Sequence, residues 1–243
     1  MKGGRYMAIG KNIFLLEEKL GYRFSDPKHL ETALTHASYS NEQKSRGNSF
    51  PSNERYEFLG DAVLEIVISD YLFENYKQYA EGSLTKMRQY LVCEKTLAKI
   101  AAEIEIGDYI NLGRGEENMD CRNRPKVLAD TLEAVFAAVY LDSGADKDRY
   151  RDVILNLMRF EIENSRTMQR GDAKTLLQQL VEKDGAAILE YVLIEESGPE
   201  HNKMFKVNAV VNNNVVGRGE SNSKKDAEMK AAEAALLLFG ISI

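Results

Sequence analysis

One segment, Glu54 to about Asn75, sets the strongest limit on how this chain folds. Its apolar residues, among them Tyr56, Phe58, Leu59, Val63, Leu64, Ile66, Val67, Ile68, Leu72 and Phe73, surround a helix rather than stripe one side. A buried central helix is therefore expected. Yet Glu54, Glu57, Asp61 and Glu65 recur in it at spacings of three, four and four, which stacks them on one side. Like charges at those spacings destabilise a helix, and a buried carboxylate without a partner is costly. A bound divalent cation resolves the conflict, because hard cations are held by carboxylate oxygens.

A second segment repeats the pattern. Val127 to Leu141 is apolar almost throughout, and its only interior charges are Asp130 and Glu133, at i and i+3. Two buried helices, each presenting a carboxylate pair, describe a magnesium site inside a helical bundle. The competing reading is a solvated acidic face, which the apolar surroundings disfavour. Gly60 points the same way. Glycine inside a helix costs about 1 kcal/mol against alanine, so a close approach to its backbone is expected there.

The rest of the chain divides by period. Segments 10–21, 27–36, 54–76, 82–92, 94–104, 126–143 and 146–164 carry helical spacing. Ser25-Asp26-Pro27 reads as a helix start and Asp142-Ser143-Gly144 as a helix end. Asn41–Asn53 and Leu112–Pro125 read as polar loops, and 165–171, with few large apolar side chains, as a linker. Beyond it, a short helix at Ala173–Lys183 precedes alternation typical of strands in Ile188–Glu196, Lys203–Val211 and Val215–Glu220. Asn212-Asn213-Asn214 signals a tight turn, and Ser223–Phe239 a closing helix. The expected fold class is thus two domains: an all-α helical domain over 1–164, then a small α+β (α-β-β-β-α) domain over 172–243.

Cys93 and Cys121 form neither a CxxC pair nor a disulfide framework, and three histidines with two cysteines make a Cys/His zinc site improbable. The apolar run Ile13–Leu16 ends at Glu17-Glu18, too short for a signal peptide. No uncharged run approaches the roughly 18 residues of a membrane span. No membrane partner and a reducing cytoplasmic location are the expectations. The net charge of −6 argues against a polyanion partner, but local charge outweighs the total. From Asp172 onward eight basic residues face eleven acids. Even so, Ser223-Lys224-Lys225 opens the last helix, where unpaired backbone N–H groups and the helix dipole already favour phosphate.

At these residues the sequence resembles the ribonuclease III family. Glu54-Arg55-Tyr56-Glu57-Phe58-Leu59-Gly60-Asp61-Ala62 matches the family's nine-residue signature except at Tyr56, where leucine, methionine or phenylalanine is usual. Leu34–Tyr39, Glu81–Thr85, Leu112–Glu116 and Leu128–Ala134 match further motifs in order. The resemblance implies a magnesium-dependent endonuclease, with Mn2+ as a substitute cation, that cuts double-stranded RNA as a homodimer. It implies metal ligands at Glu57, Asp61, Asp130 and Glu133, with Asp61 and Glu133 catalytic. Glu54 and Glu81 match positions tied to the cleavage site or subunit interface. Glu65 departs from the family pattern and reads as a surface or interface charge. Lys126 and Arg114 read as solvated charges, and His36 as a hydrogen-bonded structural residue rather than a base.

The C-terminal segment resembles the double-stranded RNA-binding domain through Lys174-Thr175, Leu177-Gln178, Gly198–Lys203, Phe205, Gly217-Arg218-Gly219 and Ser223–Glu228. Ala173 and Ser221 depart from it, where an aromatic and a glycine are common. The family pattern puts Thr175, Gln178, Gln179 and Glu182 in one minor groove and His201 in the next. Lys203, Lys224 and Lys225 complete the expected RNA contacts, with the lysine pair on phosphates. This geometry reads A-form shape rather than base sequence. The expected function is endonucleolytic hydrolysis of duplex RNA to 5′-phosphate and 3′-hydroxyl ends, with rRNA precursors and mRNA as substrates. A catalytically silent double-stranded RNA-binding protein is the alternative, and intact carboxylates argue against it. A carboxylate-metal enzyme acting on a small diphosphate leaves the C-terminal segment unexplained.

Overall fold

The computed structural model describes residues 13–77, 79–170, 173–183, 188–199 and 203–241. The helices before the C-terminal segment are α1 (Ile13–Leu20), α2 (Pro27–Ala33), α3 (Ala37–Ser45), α4 (Glu54–Asn75), α5 (Glu81–Val92), α6 (Glu94–Glu103), α7 (Arg114–Asn118), α8 (Pro125–Asp142) and α9 (Lys147–Arg170). There follow α10 (Ala173–Lys183), strands β1 (Leu189–Ser197), β2 (Met204–Val211) and β3 (Asn214–Ser221), and α11 (Lys224–Leu238). A helical region followed by an α-β-β-β-α module is the expected fold class. Two compact units result: Met1–Glu74 with Arg88–Ile162, and Asn75–Met87 with Glu163–Ile243.

In the first unit the all-round buried helix is α8, not α4. Leu128, Ala129, Leu132 and Ala134 through Val139 are all buried, and α2 and α6 pack against them. Helix α4 buries only Gly60, Val63, Leu64, Val67, Ile68 and Leu72, whereas Phe58, Ile66 and Phe73 are 82, 61 and 74% exposed. The expectation of a central α4 is therefore corrected. Its apolar residues serve two faces, and only one of them meets the core of its own chain.

Both helix-boundary signals operate as read. Asp26 caps α2 by accepting from the Lys28 N–H, with Pro27 in the first turn. Helix α8 ends at Asp142, and Gly144 follows at φ +66°. Three expectations differ. Leu112–Pro125 is not all loop, because the short helix α7 runs from Arg114 to Asn118 within it and buries no residue. Asn41–Asn53 is not all loop, because α3 runs from Ala37 to Ser45. His36 Nδ1 accepts from the Ser38 N–H at its start, and Gly47 lies beyond its end. No residue of α3 is buried, so no apolar period marked it. Helix α9 continues to Arg170 through most of the expected linker, since 165–170 contains neither glycine nor proline.

In the C-terminal module the sheet is antiparallel in the order β1-β2-β3. Asn212 and Asn213, both at positive φ, make the tight turn between β2 and β3. Its core joins Ala173, Leu177 and Val181 of α10 to Val207 and Ala209 of β2 and to Ala227, Ala231, Ala232, Ala235 and Leu236 of α11. Small residues on α11 meet Gly217 and Gly219 of β3. A Cβ on Gly217 would lie 2.1 Å from the Ala231 carbonyl oxygen, and one on Gly219 2.1 Å from that of Ala227. Backbone thus rests on backbone.

Candidate metal centre and nucleic-acid interface

The packing of α4 on α8 at Gly60 builds the acidic site. A Cβ at Gly60 would lie 1.8 Å from the Glu133 carbonyl oxygen. Only a glycine admits that approach, and it brings one turn of α4 beside the turn of α8 that carries Asp130 and Glu133. Ligand oxygens of Glu57, Asp130 and Glu133 lie within 4.8 Å of one another, and all three residues are half-buried. Asp61 is exposed, one helical turn beyond Glu57, and outside that set of three. It still repels Glu133 more strongly than any other charge does.

The electrostatics follow from this crowding. Burial first, then the charges of Asp61, Asp130 and Glu57, push the Glu133 carboxyl up to about 8. Burial and Asp130 raise Glu57 as well. Among the described residues Lys126 counters them: its Nζ lies 3.0 Å from Asp130 Oδ2, one turn away on α8. Glu54 and Glu57 occupy the first turn of α4, where the helix dipole favours negative charge.

The other expected positions fall as follows. Glu54 is exposed and accepts from Ser52 Oγ at 2.7 Å. Glu81 opens α5 and accepts from Thr85 Oγ1 at 2.8 Å. Glu65 is exposed on the uncovered face of α4, beside Ile66. Arg114 pairs with Glu42 at 3.9 Å. His36 Nδ1 is 2.8 Å from Ser38 Oγ, as a capping residue. Tyr56, the departure from the signature, gains a partner: its hydroxyl lies 2.9 Å from His29 Nδ1.

In the C-terminal module, burial of Ala173, Leu177 and Val181 turns Thr175, Gln178, Gln179 and Glu182 to solvent on one face of α10. Gln178 Nε2 donates to Glu182 Oε1 at 2.6 Å. Lys224 and Lys225 are exposed at the start of α11, whose N-cap Ser223 accepts from the Asp226 N–H. Neither lysine makes an ion pair among the described residues. Lys203 does, with Glu196 at 2.6 Å. His201 lies outside the described residues. Among the charged contacts that the sequence does not announce, Lys174 bonds Glu228, 54 positions away, at 2.6 Å.

Clustered acids on two packed helices, joined to a module that turns polar and basic side chains outward, define a class: an endoribonuclease acting on double-stranded RNA. Residues 26–159 match the family model described as Ribonuclease-III-like, and 173–238 the double-stranded RNA binding motif. The chain belongs to the ribonuclease III family. Ribonuclease 3 of Listeria monocytogenes serotype 4a (strain HCC23) is 43% identical over 224 residues, covering 91% of this chain and 95% of that protein. Ribonuclease 3 of Natranaerobius thermophilus is 44% identical over 225 residues, covering 93 and 95%. The solved nuclease domain of ribonuclease III from Campylobacter jejuni superposes with a TM-score of 0.55 at 40% identity. It covers 62% of this chain and 98% of that one, and is described as flexible in a region involved in dimer formation. Among the described residues no helix is long and apolar enough to cross a membrane.

Proposed function

We propose that the protein hydrolyses phosphodiester bonds of duplex RNA in a Mg2+-dependent reaction that leaves 5′-phosphate and 3′-hydroxyl ends. Glu57, Asp61, Asp130 and Glu133 hold the cation, and Asp61 and Glu133 carry the catalysis. The observation that carries the reading is the cluster of Glu57, Asp130 and Glu133 within 4.8 Å, with Glu133 raised to about 8. Like charges so close and half-buried suit a hard divalent cation, and an all-oxygen donor set favours Mg2+ or Mn2+. When bound, the cation supplies a Lewis acid for the phosphoryl oxygen and acidifies water. The chain fixes the geometry: Gly60 sets the spacing of the helices, and Lys126 holds Asp130. In the hydrolysis, oxygen from water bonds to phosphorus, the P–O3′ bond breaks and a proton ends on O3′. A plain RNA duplex incubated with Mg2+, with Mn2+ or with chelator tests this, with the product ends mapped. Undiminished cleavage in chelator, or 3′-phosphate ends, refutes it.

The domain partition proposed is a catalytic domain over 1–164, a connector over 165–171 and an RNA-binding domain over 172–243. Thr175, Gln178, Gln179, Glu182, His201, Lys203, Lys224 and Lys225 are proposed to contact RNA, by shape rather than sequence. Replacing Lys224 and Lys225 together by alanine weakens binding alike for unrelated duplexes. The plot of log affinity against log salt becomes shallower by about 1–2 units if both lysines meet phosphate. An unchanged slope in a salt titration returns the pair to solvated charges.

The active form proposed is a homodimer in a cytoplasmic setting that processes rRNA precursors and mRNA. Support for the dimer comes from the exposed Phe58, Ile66 and Phe73 on α4 and from the dimer-forming region ascribed to the Campylobacter nuclease domain. Duplex strands are related by two-fold symmetry, so a C2 dimer presents one site to each, with Glu54 and Glu81 as cleavage-site or interface charges and Glu65 as a surface or interface charge. Heterodimers of parent and Glu133→Gln subunits should then nick a single strand. Cutting of both strands in one binding event by such heterodimers, or an active monomer in sedimentation, overturns this arrangement.

A further inference from the structure

We propose that Lys174 is a positioning residue for duplex binding: it holds and neutralises Glu228, so that Lys224 is left free for phosphate. The proposal rests on the RNA-facing role given above to Lys224 and Lys225.

Lys174 stands in the first turn of α10, next to Thr175, but its side chain, 37% exposed, reaches across to α11. Its Nζ lies 2.6 Å from Glu228 Oε2 and 4.4 Å from the centre of the Tyr191 ring on β1. The ammonium is thus clasped between a carboxylate of α11 and an aromatic face, an arrangement with both ionic and cation–π attraction. Tyr191 is committed to this place. It is half-buried, and its hydroxyl is buried without a hydrogen-bond partner among the described residues. The Glu228 side chain is only 17% exposed, so its charge is weakly screened by water.

What makes the clasp consequential is the register of α11. Lys224 and Glu228 are four residues apart, the spacing at which lysine and glutamate side chains meet on a helix. An unclasped Glu228 would draw the Lys224 ammonium back along the helix and would set a bare carboxylate beside the approaching RNA. With Lys174 on Glu228, Lys224 is exposed and makes no ion pair among the described residues. A residue on one helix thereby decides how a lysine on another is presented. Lys174 need not touch the RNA to do so.

The test uses the full-length chain carrying Glu133→Gln, so that binding is read without cleavage, with a plain RNA duplex titrated over a range of salt. Lys174→Met, which keeps an aliphatic stem against Tyr191, should weaken binding about five- to twentyfold. It should also make the salt dependence shallower by up to about one unit, as Lys224 is lost to Glu228. Lys174→Arg should bind within about twofold of the parent, because a guanidinium keeps the charge, pairs with a carboxylate and stacks on an aromatic face. The decisive variant is Lys174→Met with Glu228→Gln. If Lys174 acts through Glu228, the second substitution restores both affinity and salt slope, a recovery that a merely structural role for Lys174 does not give. A double variant that keeps the shallow slope makes Lys174 a phosphate contact in its own right and overturns the proposal. So does a Lys174→Met protein that binds as the parent does. Failure of the parent to bind duplex, or an unchanged slope in Lys224→Ala, instead removes the RNA-facing role on which the proposal stands.

Discussion

Glu133→Gln abolishes duplex cleavage and leaves duplex binding within about twofold of the parent. The amide keeps the shape of the side chain but not the negative charge of the deepest member of the cluster. The RNA-binding module carries none of that cluster. The same substitution has a second signature in metal-free protein. Glu133 titrates near 8 in the folded chain against 4.5 for an ordinary glutamate, so the folded state holds the extra proton between those values. Stability therefore falls as pH rises from about 4.5 to 8. Glutamine removes the falling component. Metal-free Glu133→Gln should melt with the parent near pH 4.5 and above it at pH 8, by about 1–3 kcal/mol once partial solvent screening is allowed for. Calorimetry at the two pH values checks it. Normal turnover in saturating Mg2+, or a variant less stable than the parent at pH 8, contradicts the role given to Glu133.

The second large effect is expected from the smallest change. Gly60→Ala puts a methyl group where the Glu133 carbonyl already stands, 1.8 Å away. Neither partner is a flexible side-chain tip, so α4 must withdraw from α8. Overpacking of this kind costs about 1–3 kcal/mol, offset in part by the roughly 1 kcal/mol that alanine contributes to a helix interior. The stability change is thus modest, but the loss of activity is not. Withdrawal separates Glu57 and Asp61 from Asp130 and Glu133, and displacement of about 1 Å at a reacting centre costs on the order of a hundredfold in rate. Single-turnover cleavage at saturating Mg2+, beside a melting curve, separates the two effects. A folded Gly60→Ala protein with near-normal turnover would show that the helix contact does not set the site.

Much of this was legible because charge and period conflict in two helices. Carboxylates at three- and four-residue spacing within apolar segments mark Glu57, Asp130 and Glu133 without any coordinates, and Gly60 in the same segment announced a close neighbour. Which neighbour was not legible, since the contact joins residues 73 positions apart in sequence. The rank of α4 and α8 was misread for a related reason. A helix with two apolar faces looks the same in sequence whether the second face meets its own chain or remains uncovered. Helix α3 escaped notice because none of its residues is buried, and helical period is a signal of burial. The Lys174–Glu228 contact joins two helices that pack on each other but stand 54 positions apart in sequence, so no local pattern announced it.

The seating of α11 on β3 has a consequence for how the RNA-binding module can vary. Its contact surface is main chain against main chain at Gly217 and Gly219, so the gap between strand and helix is set by the bulk of the peptide unit itself. Aliphatic neighbours such as Val207 and Leu236 can exchange for others of similar volume, because cores absorb such swaps at small cost. The two glycines have no such latitude, as any side chain wedges the helix off the strand and carries the Lys224 and Lys225 end with it. In a library of random substitutions through this module, surviving binders should therefore drift freely at the aliphatic positions and stay fixed at 217 and 219.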